Sequence, residues 1–223
     1  MQAIIIRHGK VDFQWRQWST SEQFNKDCKM YDKAPILTLL SDIPPINYQD
    51  IYTSSLQRSR ETASQLFGQK DVISTKLLDE VPLCASVTSN KKLPLIFWNV
   101  SGRLQWFLNI HSQKECRKET IYRAEQFIEM IVQKDNNCII VTHGFFMHML
   151  LSQMKKRAFQ ISHTRLSYSN GECIIAEHKI PKSRERKISV WQFGGLLKEK
   201  IDEFVKIWRY HRDYIAKLGG KSK

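Results

Sequence analysis

The chain has 223 residues, is 42% hydrophobic, and carries only 9 glycines and 6 prolines; this excludes a disordered or fibrous protein and suits one α/β domain with a sizeable core. No apolar run reaches the length of a membrane span, so a membrane partner is not expected. The balance of 35 basic against 22 acidic residues gives a net charge of +13, which can steer anionic ligands; a generally basic solvated surface and a specific acidic-polymer patch both fit it.

Ala3-Ile4-Ile5-Ile6 reads as a strand buried on both faces, followed by Arg7-His8-Gly9 at its carboxyl end. Ligands of open α/β sheets bind outside such ends. With a strand starting almost at Met1, no signal peptide is expected. Lys10 to Trp18 has no clean period and reads as a loop bordering the site. Ser19-Thr20-Ser21-Glu22 has capping-box spacing and opens a helix to about Lys29. Leu37 to Leu40 reads as a further helical turn, closed by Pro44-Pro45.

Ile51-Tyr52-Thr53 is a short strand leading into a helix from Leu56 to Phe67, with Gly68 placed to stop it. Val72-Ile73 suggests another strand, and Leu77-Leu78-Asp79-Glu80 follows. Leu83 to Gln113 reads as a mostly helical cap, with Trp98 and Trp106, joined by Trp15 and Trp18 of the preceding loop, as candidates to line a pocket. Ile121, Ala124, Phe127, Ile128, Ile131 and Val132 recur at helical spacing.

Cys138-Ile139-Ile140-Val141 repeats the opening construction, with Thr142-His143-Gly144 at its end and a buried helix beyond. Glu172 to His178 reads as a last strand after the turn at Asn170-Gly171. Past a basic connector, Leu197, Ile201, Phe204, Trp208, His211, Ile215 and Leu218 form an amphipathic seam, for docking on the domain or for a homodimer. The chain thus divides into a domain over residues 1–190, with its cap at about 83–113, and a C-terminal helix and tail over 191–223. Cys28, Cys84, Cys116, Cys138 and Cys173 show no CxxC spacing, which fits a reduced, cytoplasmic setting.

Three strand ends therefore carry Arg7, His8, Arg58 and His143 toward one rim. Phosphoryl transfer through a covalent intermediate uses such a set. Guanidinium forks match phosphate oxygens, an imidazole can attack phosphorus, and a carboxylic acid can protonate the leaving alkoxide. None of this calls for a metal or a cofactor, and the histidines lack ligand spacing.

These residues resemble the signature of the histidine phosphatase superfamily, the phosphoglycerate-mutase-like group, in its branch with RHG and HG motifs. Arg7-His8-Gly9 is similar to its first motif and Val141-Thr142-His143-Gly144 to its second. Asp50 to Ala63, through Ser54-Ser55-Leu56-Gln57-Arg58, resembles its strand and helix start, with Ser55 in place of a proline. The resemblance, over about residues 3–178, implies an α/β three-layer sandwich with a mostly parallel central sheet; the helical cap and the C-terminal amphipathic helix, which lies outside it, are read from the residues themselves. It implies a phosphatase acting on a small phosphorylated molecule, with His8 as nucleophile and Arg7, Arg58 and His143 holding the phosphoryl group. Glu80 falls where the family keeps its proton donor, and Asp79 is the adjacent alternative. Gly144 and Lys10 complete the expected substrate contacts; Glu115 and Arg123 read as structural. A mutase-type phosphotransferase and a degenerate binder of an acidic partner are the other readings, nucleic acid being the lesser partner.

Overall fold

The computed structural model describes residues 1–39, 42–110, 112–165, 167–179 and residue 205. The apolar run after Met1 forms β1 (Gln2–Arg7), and β2 (Trp18–Ser19), α1 (Ser21–Lys33), β3 (Asp50–Ser54) and α2 (Gln57–Phe67) follow. Next come β4 (Ile73–Thr75), a 3-10 turn (Lys76–Leu78), β5 (Leu93–Pro94), α3 (Leu95–Phe107) and α4 (Arg117–Lys134). The described fold closes with β6 (Cys138–Thr142), α5 (Gly144–Lys156), β7 (Phe159–Ile161) and β8 (Cys173–His178).

Six strands make one sheet in the order β4-β3-β6-β1-β8-β7. The first four run parallel; on the β1 side β8 pairs antiparallel to β1, and β7 pairs antiparallel to β8. Period-2 alternation splits the central strands between two faces. Ile5, Tyr52 and Ile140 pack on α4 and α5 through Phe127, Ile128, Phe146 and Leu150. Ile4, Ile6, Ile139 and Val141 pack toward Ala63 and Phe67 of α2. The result is an α/β three-layer sandwich with a mostly parallel sheet. Each fully buried isoleucine contributes about 1.5–3 kcal/mol.

Register decides what the strand ends deliver. Ile4 lies opposite Ile139 and Arg7 opposite Thr142, so the two histidines that come next, His8 and His143, emerge side by side. Thr53 lies opposite Val141, which sets Ser54 beside the same corner.

The helix expected after Ser19 is capped one residue later. Thr20 accepts from Gln23 N at 3.3 Å and Gln23 returns a bond to Thr20 N, and α1 runs on to Lys33. Leu37 to Leu39 do not form the expected helical turn. Ile36 instead bridges Val11, with Leu37 N donating to Lys10 O at 2.7 Å and Asp12 N to Pro35 O at 2.8 Å. The backbone there pairs with the neighbouring loop as an isolated antiparallel bridge, in place of bonds within a turn. Nothing in the sequence marks β7, because three residues carry too little alternation to register.

In the expected cap, α3 joins α1 through the cluster of Phe24, Leu95 and Trp98. Gly102 lets α3 lie close against the segment at Leu83 and Cys84: a Cβ there would fall 2.6 Å from Leu83 Cδ1 and 3.2 Å from the Cys84 carbonyl. The expected amphipathic seam and the division near residue 190 lie outside the described residues. All five cysteines are free. Among the described residues, no helix is long and apolar enough to cross a membrane.

Candidate active site

A cavity of about 600 Å³ opens at the carboxyl ends of β1, β3 and β6, under α1 and α3. Its walls include Arg7, His8, Arg58, Asp79 and Glu80. Four further cations, Lys29, Lys76, Arg103 and Lys114, share them with the Glu115–Arg123 ion pair.

The loop carrying His8 is pinned from both sides. His8 N donates to Thr142 O at 2.9 Å, and Gly9 N donates to Thr62 Oγ1 of α2 at 2.8 Å. Asn170, from the turn before β8, donates to His8 O at 2.8 Å. Gly9 lies close under Ile36, where a Cβ would sit 3.0 Å from Ile36 Cδ1 and the isoleucine would have to give by a few tenths of an ångström. The His8 Nδ1–H donates to the Gly9 carbonyl at 2.7 Å, so the lone pair lies on Nε2. Burial, then the charges of Arg58 and Arg7, hold the His8 imidazole well below its usual titration range despite the Gly9 bond. His8 is thus a neutral ring with one unprotonated nitrogen among cations.

Arg58 is almost fully buried in the first turn of α2. Its Nε donates to His143 Nδ1 at 3.0 Å, and its Nη1 meets Asp32 at 2.9 Å, with the guanidinium over the Tyr31 ring at 4.9 Å. Arg7 donates to the Tyr168 carbonyl. His143 is wholly buried, its ring centroid 5.0 Å from that of His8. Burial first, then Arg58 and His8, lower its pKa well below the usual histidine value. It does not reach the cavity wall, and neither does Gly144, which begins α5 behind it. Lys10, expected beside substrate, is exposed and lines no part of the cavity.

The two candidate acids have different surroundings. Asp79 accepts from Ser54 Oγ and Ser55 N on one oxygen and from Ser55 Oγ on the other, each at 2.7 Å. Glu80 sits at the amino end of α5. Its Oε1 accepts from Val81 N at 3.0 Å and Phe146 N at 2.9 Å, while Oε2 has one longer bond, from Phe145 N at 3.3 Å.

Several wall residues escape sequence reasoning. Tyr31 and Asp32 lie in the last turn of α1, beyond the end the sequence suggests, though Phe24, Cys28 and Tyr31 keep helical spacing and could have extended it. Arg103 is buried on α3, donates to Val81 O at 3.0 Å and lies 3.9 Å over the Phe145 ring. Its only sequence signal is a lone arginine inside an apolar helix. Cys28 also lines the cavity, but burial, with the charge of Asp32, pushes its thiol up to about 12, away from thiolate reactivity. Of the four tryptophans expected to line a pocket, only Trp15 does; Trp98 and Trp106 are fully buried and Trp18 is exposed in β2. Among the described residues, no group of three or more His, Cys, Asp or Glu is placed to hold a metal ion.

An α/β sheet whose parallel strand ends gather two neutral imidazoles, buried arginines and a carboxylate defines a class of anion-handling enzyme. The family model for the histidine phosphatase superfamily (branch 1) matches residues 3–192, and the chain belongs to that superfamily. Among solved structures, it is similar to the alpha-ribazole phosphatase from Shigella flexneri, at 16% identity over 85% of this chain and 100% of that one, with a TM-score of 0.49. It is similar to a mycobacterial glucosyl-3-phosphoglycerate phosphatase at 17% identity over 78% and 88%, TM-score 0.47. A phosphoserine phosphatase from Entamoeba histolytica matches at 16% identity over 78% and 89%, TM-score 0.44. No curated protein matches the chain by sequence.

Proposed function

We propose that this protein hydrolyses phosphomonoesters of small molecules through a phosphohistidine on His8, without a metal ion. The observation that carries the reading is the bond from His8 Nδ1–H to the Gly9 carbonyl, which leaves Nε2 as a nucleophile beside Arg7 and Arg58. In the first step Nε2 attacks phosphorus and the bond to the leaving oxygen breaks. Arg7 and Arg58 stabilise the charge spread over the equatorial oxygens, and His143 completes the phosphoryl pocket behind them. In the second step water attacks phosphorus, the P–N bond breaks and inorganic phosphate leaves.

Glu80 supplies the proton to the leaving alkoxide and then, as carboxylate, takes one from the water. Oε2, with its single long bond, is the oxygen with room for that proton. Asp79 is committed as an acceptor to two hydroxyls and an amide, which supports Glu80 as the donor. The same reading divides the chain into a catalytic domain to about residue 190 and a C-terminal segment beyond it; the family match ending at residue 192 supports that boundary.

The test is hydrolysis of p-nitrophenyl phosphate in the presence of a chelator. Turnover by the wild type, abolished in His8→Ala, is the expected result. Activity that needs an added metal would overturn the reading, as would failure to cleave any sugar phosphate, nucleotide or phosphopeptide.

A further inference from the structure

Ser54 stands between two groups that compete for its one proton. Its Oγ lies 2.7 Å from Asp79 Oδ1 and 2.7 Å from His143 Nε2. Asp79 already accepts the Ser55 N–H and Ser55 O–H, so it meets Ser54 as an acceptor too. Were the Ser54 proton turned to the imidazole, its oxygen would face Asp79 Oδ1 lone pair to lone pair. The proton therefore goes to Asp79, and the Ser54 oxygen, which also accepts from Leu56 N at 3.2 Å, accepts from His143 Nε2–H. Ser59 Oγ, 3.2 Å from the same nitrogen, is a second, longer partner. The opposite side of the ring gives the same answer independently. A guanidinium has donors only, so Arg58 Nε, 3.0 Å away, requires a lone pair on Nδ1.

We propose that Asp79 and Ser54 form a hydrogen-bonded relay that fixes His143 as its Nε2–H tautomer, and that this tautomer aims the Arg58 guanidinium into the cavity. Asp79, Ser54 and His143 are positioning residues in this role, acting on the phosphoryl group through Arg58. In the opposite tautomer Nδ1–H would confront Arg58 Nε–H, two donors face to face, and the guanidinium would have to turn away. Asp32 and the Tyr31 ring hold the other parts of the same guanidinium, so the arginine is oriented from β3, β6 and α1 at once. The relay also gives Asp79 a task distinct from that of Glu80. Its kinetic consequence rests on the phosphatase reading above; its structural content does not.

Two-bond ¹⁵N–¹H correlation spectra of the full-length, histidine-labelled protein test it directly. The His143 ring is assigned by its loss in His143→Gln or, should that variant not fold, by Overhauser contacts to Ser54 and Ser59. The expected spectrum has the proton on Nε2 and none on Nδ1 near neutral pH. A proton on Nδ1, or on both nitrogens, overturns the relay. In Ser54→Ala, where only Arg58 and Ser59 remain to hold the Nε2–H form, a weaker preference for that tautomer and a loss of kcat of about 10²-fold are expected, KM moving less. Ser54→Thr, which keeps the hydroxyl, should restore both. Wild-type kcat in Ser54→Ala overturns the aiming role even where the wild-type tautomer is as described. If no phosphomonoester is turned over at all, the phosphatase reading fails, while the ring spectrum still decides the relay.

Discussion

The ends of β1 and β6 are built from nearly the same sequence, an apolar strand followed by a polar residue, a histidine and a glycine, yet they do different things. At the β1 end the His8 ring makes one bond, to the carbonyl of the next residue, and lines the cavity. At the β6 end both nitrogens of His143 are engaged, by Arg58 on one side and Ser54 and Ser59 on the other, and the ring is wholly buried. The parallel register makes them neighbours, and the surroundings make them unequal. A histidine with a spare lone pair can form a bond; one with both nitrogens occupied can only hold something in place.

The sharpest way to break this contrast is to remove the His8 ring and, separately, the guanidinium that His143 holds. His8→Ala should lower turnover by about 10⁴-fold or more, because no other group described in the cavity combines an accessible neutral nitrogen with this cationic setting. Arg58→Ala should cost about 10²–10³-fold in kcat, as losses of fixed charge at a transition state do. Equal losses in steady-state assays of both variants would erase the distinction between attacking and positioning groups.

Glu80→Gln should slow hydrolysis of alkyl phosphates by about 10²-fold or more, and aryl phosphates far less, since a phenolate leaves without a proton. A leaving-group series on both proteins reads this. Equal effects across the series would remove Glu80 from the acid role.

Protonation sharpens the comparison in stability. Both rings are neutral when folded, with titration pushed below the ordinary histidine value near 6.5. Between the folded and unfolded values, the unfolded chain binds more protons than the folded one, so stability rises with pH. The contribution is full above about pH 6.5 and is lost as pH falls toward the folded values, by up to about 1.4 kcal/mol per pH unit for each ring. Urea melts at stepped pH should show this slope in the wild type and a shallower one in His143→Gln. The smallest effect is expected at Lys10, which is exposed and does not line the cavity: Lys10→Ala should change kcat/KM less than about twofold.

The strand ends are legible because buried parallel strands leave continuous apolar runs, and the polar residues that end such a run stand out: Arg7-His8-Gly9, Thr142-His143-Gly144 and Arg58 can all be located that way. Register cannot be read, and register is what makes His8 and His143 adjacent. Distances between side chains from separate elements are equally hidden. Asp79 and Glu80 are consecutive, yet one bonds the corner before α2 and the other the start of α5. Lys10 follows the motif in sequence but is exposed, its carbonyl accepting from Leu37 N. The sequence suggests too early an end for α1, which hides Tyr31 and Asp32. Arg103 is hidden because a buried arginine in an apolar helix reads like any surface break in the pattern.

Rapid quenching during turnover of a ³²P-labelled phosphomonoester, followed by peptide mapping, tests the central claim most directly. An acid-labile, base-stable label on the peptide containing His8, absent in His8→Ala, is the predicted result. Steady turnover with no labelled histidine, or label on His143 instead, would contradict it.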